Sequence, residues 1–154
     1  MTPRRRLLAT ATAALGIATL AGCEKPAPIV TVVNAGQSVY AEANTYCFEG
    51  QSLQEGDCAV RHEGTTRLEV QGGETVGVDV GKALAESGWL IELSDPAAQG
   101  EQAQPQQSEV QEGHYFTFTA PNLPSDGELL LTVRSLDEEQ QRPTGEWSFT
   151  LVPR

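Results

Sequence analysis

Between Arg67 and Leu151 the apolar residues of this chain fall in short runs that return at every second position, a period that admits few folds. Leu68 and Val70 fall on one side of an extended run, with Arg67 and Glu69 on the other. Val76, Val78 and Val80 repeat the pattern, as do Trp89, Ile91 and Leu93, then Phe116 and Phe118. Leu129, Leu131 and Val133 follow, and Trp147, Phe149 and Leu151 close the series. Successive strand side chains point to opposite faces, so each set marks a strand with one buried face. Ile29–Val33 and Val39–Ala41 add an opening pair around Asn34-Ala35-Gly36, where Gly36 suits a turn.

Strands with one apolar face must pack that face against a second layer. Seven to eight short strands separated by Gly, Pro, Asn and Asp clusters therefore predict an all-β, Ig-like β-sandwich over residues 29–154. Only Gly81–Ser87 breaks the rhythm. Lys82-Ala83-Leu84-Ala85-Glu86 predicts a single helical turn closed by Gly88, linking two strands across the sheets. Trp89 resembles the core tryptophan of immunoglobulin-like sandwiches, but Cys47 and Cys58 lie too close in sequence to imitate their inter-sheet disulfide. Pro96–Gln107 is Gln-rich without apolar period and reads as a long disordered loop, a functional loop being the alternative. Asp137–Gly145 reads as a polar hairpin loop before the last strand.

The first 22 residues follow another logic. Arg4, Arg5 and Arg6 precede an apolar stretch, Leu7–Gly22, of 16 residues. That is short of the roughly 20 needed to span a bilayer, and it contains Thr10, Thr12 and Thr19. A basic start, an apolar stretch and small residues before a cut site make a secretory signal peptide. The arginines also resemble a twin-arginine export signal, although an ordinary basic start is the preferred reading. Leu20-Ala21-Gly22-Cys23 resembles the bacterial lipobox. By that resemblance Cys23 takes a diacylglyceryl group, the chain is cut before it, and the new amino end is often acylated too. Glu24–Pro28 then forms a tether of about 16 Å at ~3.1 Å per residue, stiffened by two prolines.

Removing residues 1–22 leaves 132 residues, enough for one domain. The leader takes three of the ten basic residues and no acid, so seven face 21 acids, a formal charge of −14. Such a domain is repelled by nucleic acid and does not lie on an anionic membrane. Of the three cysteines, Cys23 goes to lipid, and Cys47 and Cys58 remain as a pair in an oxidising compartment. A disulfide between them closes a loop of about 12 residues, worth roughly 3 kcal/mol on the chain-entropy model. A metal pair or redox dithiol fits less well, because the spacing is neither Cys-x-x-Cys nor that of a zinc site.

Catalytic equipment is sparse. Only His62 and His114 are present, with no His-Glu-x-x-His, Gly-x-Ser-x-Gly or phosphate-binding glycine loop. No calcium-loop spacing occurs, and the sole Met lies in the leader, which weakens any soft-metal site. The reading is a non-enzyme with no cofactor and no metal. Tyr46-Cys47-Phe48 places aromatics beside the expected disulfide, as a recognition knob, a pocket wall, or packing for the bridge.

With the lipobox, Tyr46-Cys47-Phe48, the Val76-x-Val78-x-Val80 strand and Trp89 in this order, the chain resembles an actinobacterial lipoprotein family of unknown function. The likeness covers the full length on diffuse features, the lipobox apart. It implies a cell-envelope lipoprotein and carries over no activity or binding residue. The expectation is a domain on the outer face of the cytoplasmic membrane, lipid-anchored, serving an envelope protein partner as an interaction or accessory module. The alternative is a small-ligand binder of a lipid, peptide or metabolite, with several of Tyr40, Tyr46, Phe48 and Tyr115 converging on a cavity.

Overall fold

The computed structural model describes residues 26–48, 51–56, 58–100, 104–137, 139 and 141–154. The leader, Cys23 and the start of the tether lie outside the described residues. The rest is an all-β sandwich of two sheets. In chain order the strands are β1 (Val30–Asn34), β2 (Gln37–Ala41), β3 (Thr45–Tyr46), β4 (Ala59–Val60), β5 (Thr66–Val70), β6 (Thr75–Val80), β7 (Trp89–Ser94), β8 (Gln106–Gln107), β9 (Tyr115–Thr119), β10 (Leu129–Leu136) and β11 (Pro143–Pro153). A short helix, α1 (Lys82–Ser87), joins β6 to β7.

The smaller sheet has order β2-β1-β6-β9; the larger has β4-β3-β11-β10-β7-β8, with β5 also on β11. Besides its ladder to β10, β11 is long enough to serve two further neighbours: Gly145 and Glu146 pair with β3, and Phe149–Pro153 pair in parallel with β5. Three of the eleven strands have two residues each (β3, β4 and β8), so eight carry the sandwich.

Alternation explains the packing. Val30 and Val32 of β1, Val76, Val78 and Val80 of β6, and Leu68 and Val70 of β5 are all buried. They meet Trp89, Ile91, Leu131, Val133, Trp147, Phe149 and Leu151 from the other strands in one core. Burying a large apolar side chain contributes about 1.5–3 kcal/mol, and both tryptophans are 0% exposed. Their polar edges still find partners: Trp89 Nε1 donates to Gly113 O at 2.7 Å, and Trp147 Nε1 donates to Pro28 O at 2.9 Å. The second bond, with Ala27 packed against the core, ties the incoming chain to the sandwich.

α1 takes the expected place between strands of different sheets. It ends where Gly88, at φ 90°, turns its N–H back to Leu84 O. β1 and β2 are joined by Ala35 and Gly36, both at positive φ (44° and 82°), the twist that a two-residue hairpin requires.

Two loop expectations need correction. Gln106 and Gln107 form β8 on Leu93 and Glu92, and Ser108 N donates to Ile91 O, so the end of the Gln-rich segment is an edge strand. The ladder uses backbone groups, which is why exposed polar side chains gave no period. The connection before the last strand is also shorter than Asp137–Gly145, because Pro143–Gly145 already belong to β11. Val30, not Ile29, begins the first strand, and Ile29 is 53% exposed.

Candidate interaction surface

The outer face of the smaller sheet is built by four strands in register. Thr31 of β1 stands between Tyr40 and Asp79, and Asp79 stands beside Tyr115. The next row runs Ser38, Val33, Gly77, Thr117. Asp79 is the single charge in these two rows of an acidic chain. Tyr40 and Tyr115 are 66% and 54% exposed and mark the two edges of the face. Gly77 has no side chain to offer, and the Tyr115 ring lies over it.

The larger sheet presents a different outer face. Arg134 on β10 sits between β7 and β11, with Nη1 2.9 Å from Glu92 Oε2 and Nε 3.4 Å from Glu146 Oε2. Its side chain is 31% exposed and that of Glu92 13%, so the triplet is partly shielded from water. The sequence places each of these residues on an outward position, but only the strand order β7-β10-β11 brings them together.

Cys47 and Cys58 are joined as a disulfide with Cα atoms 4.6 Å apart. Within the loop Ser52 N donates to Glu55 Oε2, and Glu55 Oε1 accepts from Arg142 Nη1 at 2.9 Å. Arg142 Nε also donates to Asp137 Oδ2 at 3.1 Å, so one guanidinium ties the disulfide loop to the β10–β11 connection. The hydrogen bond to Asp137 leads in holding the Arg142 pKa above its ordinary value, and the Ser52 N–H leads in holding the Glu55 carboxyl below its own.

Tyr46 and Phe48 do meet beside the bridge, edge to face at 4.8 Å, and Tyr46 lies 5.9 Å from the Trp147 ring. Arg61 stands over Phe48 at 5.1 Å. Burial raises the Tyr46 pKa. This cluster continues the core outward; Tyr40 and Tyr115 are on the other sheet, so the four aromatics do not line one cavity.

At the far end Asn34, 2% exposed, donates from Nδ2 to Glu69 O at 3.1 Å and to Glu74 Oε2 at 2.9 Å. Glu74 also accepts from Gln71 N and from Arg154 Nη1, both at 2.9 Å. These bonds, the one from Asn34 first, lower the Glu74 pKa. The network clasps β1, the β5–β6 turn and the chain end.

His62 is exposed beyond β4, and His114 Nδ1 lies 3.1 Å from Val80 O at the head of β9. Among the described residues no three His, Cys, Asp or Glu side chains are grouped to hold a metal ion. The surface recesses are modest: one of about 360 Å³ lies between Asp95–Ala97 and Leu123–Leu129, and one of about 420 Å³ lies by the β1–β2 turn. No described helix is long and apolar enough to cross a membrane. No family model, curated protein or solved structure matches the chain.

Proposed function

We propose that this chain is a lipid-anchored protein of the cell envelope whose sandwich acts as a non-enzymatic interaction or accessory module. The observation that supports it best is the outer face of the smaller sheet. In a domain of formal charge −14 after loss of the leader, two full rows of outward positions carry one charge. Contact surfaces are marked by aromatic residues and by depletion of charge at their centre. Tyr40, Thr31, Val33 and Tyr115 provide such a surface. The separation of Tyr40 and Tyr115 from Tyr46 and Phe48 favours it over a ligand cavity.

The anchor reading rests on Leu20-Ala21-Gly22-Cys23, and on a tether that joins the domain at Pro26–Pro28. Two acyl chains give stable membrane attachment, and so short a tether confines any partner to the same membrane. Cys23→Ala is expected to release the protein or leave it unprocessed; a mutant of mature size that stays fully membrane-bound removes the anchor.

The interaction test places benzoylphenylalanine at Thr31, in the middle of the face, in cells making the full chain. One dominant envelope protein captured there, and not from an exposed position such as Gln54, supports the module. Capture of nothing reproducible, with a small molecule retained in native mass spectrometry, turns the reading to ligand binding.

A further inference from the structure

We propose that the open edge of β9 takes an extended, lysine- or arginine-bearing segment of an envelope protein as a fifth strand of the smaller sheet. This deepens the interaction reading above and rests on it.

The edge is defined by the ladder. His114 O accepts from Val80 N at 2.9 Å, and Ala120 N donates to Glu74 O at 2.8 Å. In an antiparallel pair hydrogen-bonded and non-bonded positions alternate, so Phe116 and Phe118 carry the remaining bonds to β6. The N–H and C=O groups of Tyr115, Thr117 and Thr119 point the other way, and no described residue meets them. Other edges are managed. β4 and β8 have two residues each, and β5 lies along β2, where Thr66 Oγ1 donates to Tyr40 O at 3.3 Å. Natural sheets protect edges by shortness, charge, proline or a covering segment. The Tyr-Phe-Thr-Phe-Thr of β9 is five residues long without charge or proline, and no described segment pairs with its free edge.

Charge selects the occupant. Residues 83–133 contain eight acids and no Lys or Arg. Glu109 and Glu112 are exposed on the segment leading into β9, and Asp79 stands opposite Tyr115. None of these three has an ion pair among the described residues. A second copy pairing edge to edge would bring the same acids together, whereas a basic strand neutralises them.

The pleat adds a pattern. In strand addition, backbone bonds give affinity and alternate side chains give specificity. Side chains on the inner side of the added strand would lie beside Phe116 and Phe118, both half-buried, with Phe116 6.4 Å from Trp89. Those on the outer side would lie beside Tyr115, Thr117 and Thr119. The matching segment alternates apolar and basic residues.

The test uses the full-length protein in neutral detergent micelles and an end-capped seven-residue peptide of alternating Val and Lys. Residue-resolved amide exchange is expected to slow at least tenfold at Tyr115, Thr117 and Thr119. The same peptide with Glu for Lys is expected to leave them unchanged. Thr117→Pro removes a central N–H that the ladder to β6 does not use, and should abolish the slowing at 115 and 119 without shifting the melting temperature. If that variant does not fold, Asp79→Lys with Glu112→Lys takes its place, and should shift protection from the Lys peptide to the Glu peptide.

Equal protection by both peptides, or by neither, overturns the proposal. So does protection without peptide that grows with protein concentration alongside a dimer in sedimentation, which assigns the edge to a second copy. Capture of a partner at Thr31 with no peptide effect on β9 removes this inference and leaves the interaction module standing. Failure at both sites removes both.

Discussion

Tyr115 lies across Gly77, its phenol occupying the space that a Cβ on that glycine would enter. The two residues are diagonal neighbours on β9 and β6, with Thr117 directly opposite Gly77. The glycine is not there for backbone freedom; it leaves room for a ring. The obstructing atoms are the far end of one side chain, so the ring can yield at modest cost.

A double-mutant cycle follows from that. Gly77→Thr is expected to destabilise the protein by up to ~1 kcal/mol, because the ring is displaced into water. In a Tyr115→Ala background the same change is expected to stabilise, since threonine has the better strand propensity by a similar amount. Chemical denaturation of the four proteins measures the coupling, and simple additivity refutes the contact.

Ala35 holds φ 44° in the hairpin turn, where a Cβ is unwelcome. Asn tolerates that region and is favoured in such turns. Ala35→Asn is expected to raise stability by about 1 kcal/mol, read as a higher denaturation midpoint with unchanged m-value.

Glu74 accepts three donors, from Asn34, Gln71 and Arg154, with its two carboxylate oxygens. Its folded pKa is lowered, so its stabilising contribution is complete above the unfolded carboxyl value of about 4.3 and is lost as pH falls through the folded value. Glu74→Gln presents an NH₂ to at least one donor. The variant should melt lower than the parent at pH 7, and the gap should close as pH falls towards 3. A constant gap would show that the charge is not the cause.

The Cys47–Cys58 bridge spans 11 residues and sits at one end of the larger sheet. Replacing both cysteines with serine should cost roughly 3 kcal/mol, mostly through a freer unfolded chain. The loop itself has further ties through Glu55 and Arg142, so the sandwich is expected to remain folded. Unfolding of the whole domain on mild reduction would assign the bridge a larger role.

Features set by neighbours along the chain were legible from sequence. The buried valines of β6, both tryptophans, and the Gly88 stop after α1 follow from period and backbone conformation. Features set by strand order were not. Arg134 meets Glu92 and Glu146 only because β10 lies between β7 and β11, and Asn34 meets Glu74 across 40 residues. β8 escaped because Gln106 and Gln107 are both exposed and contribute backbone alone. On the candidate face the separate strands were legible, but not that Tyr40 and Tyr115 end up at opposite edges with one charge between them.

The bond from Trp147 to Pro28 also decides how a pull is carried. Tension arriving from the amino-terminal side must first break a buried tryptophan's grip on that carbonyl. It then meets β1, which is flanked on both sides by β2 and β6. Five residue pairs hold it on each side. A load from that side therefore meets a strand held along both flanks, while β9, on the outer side of β6, is reached only through β6.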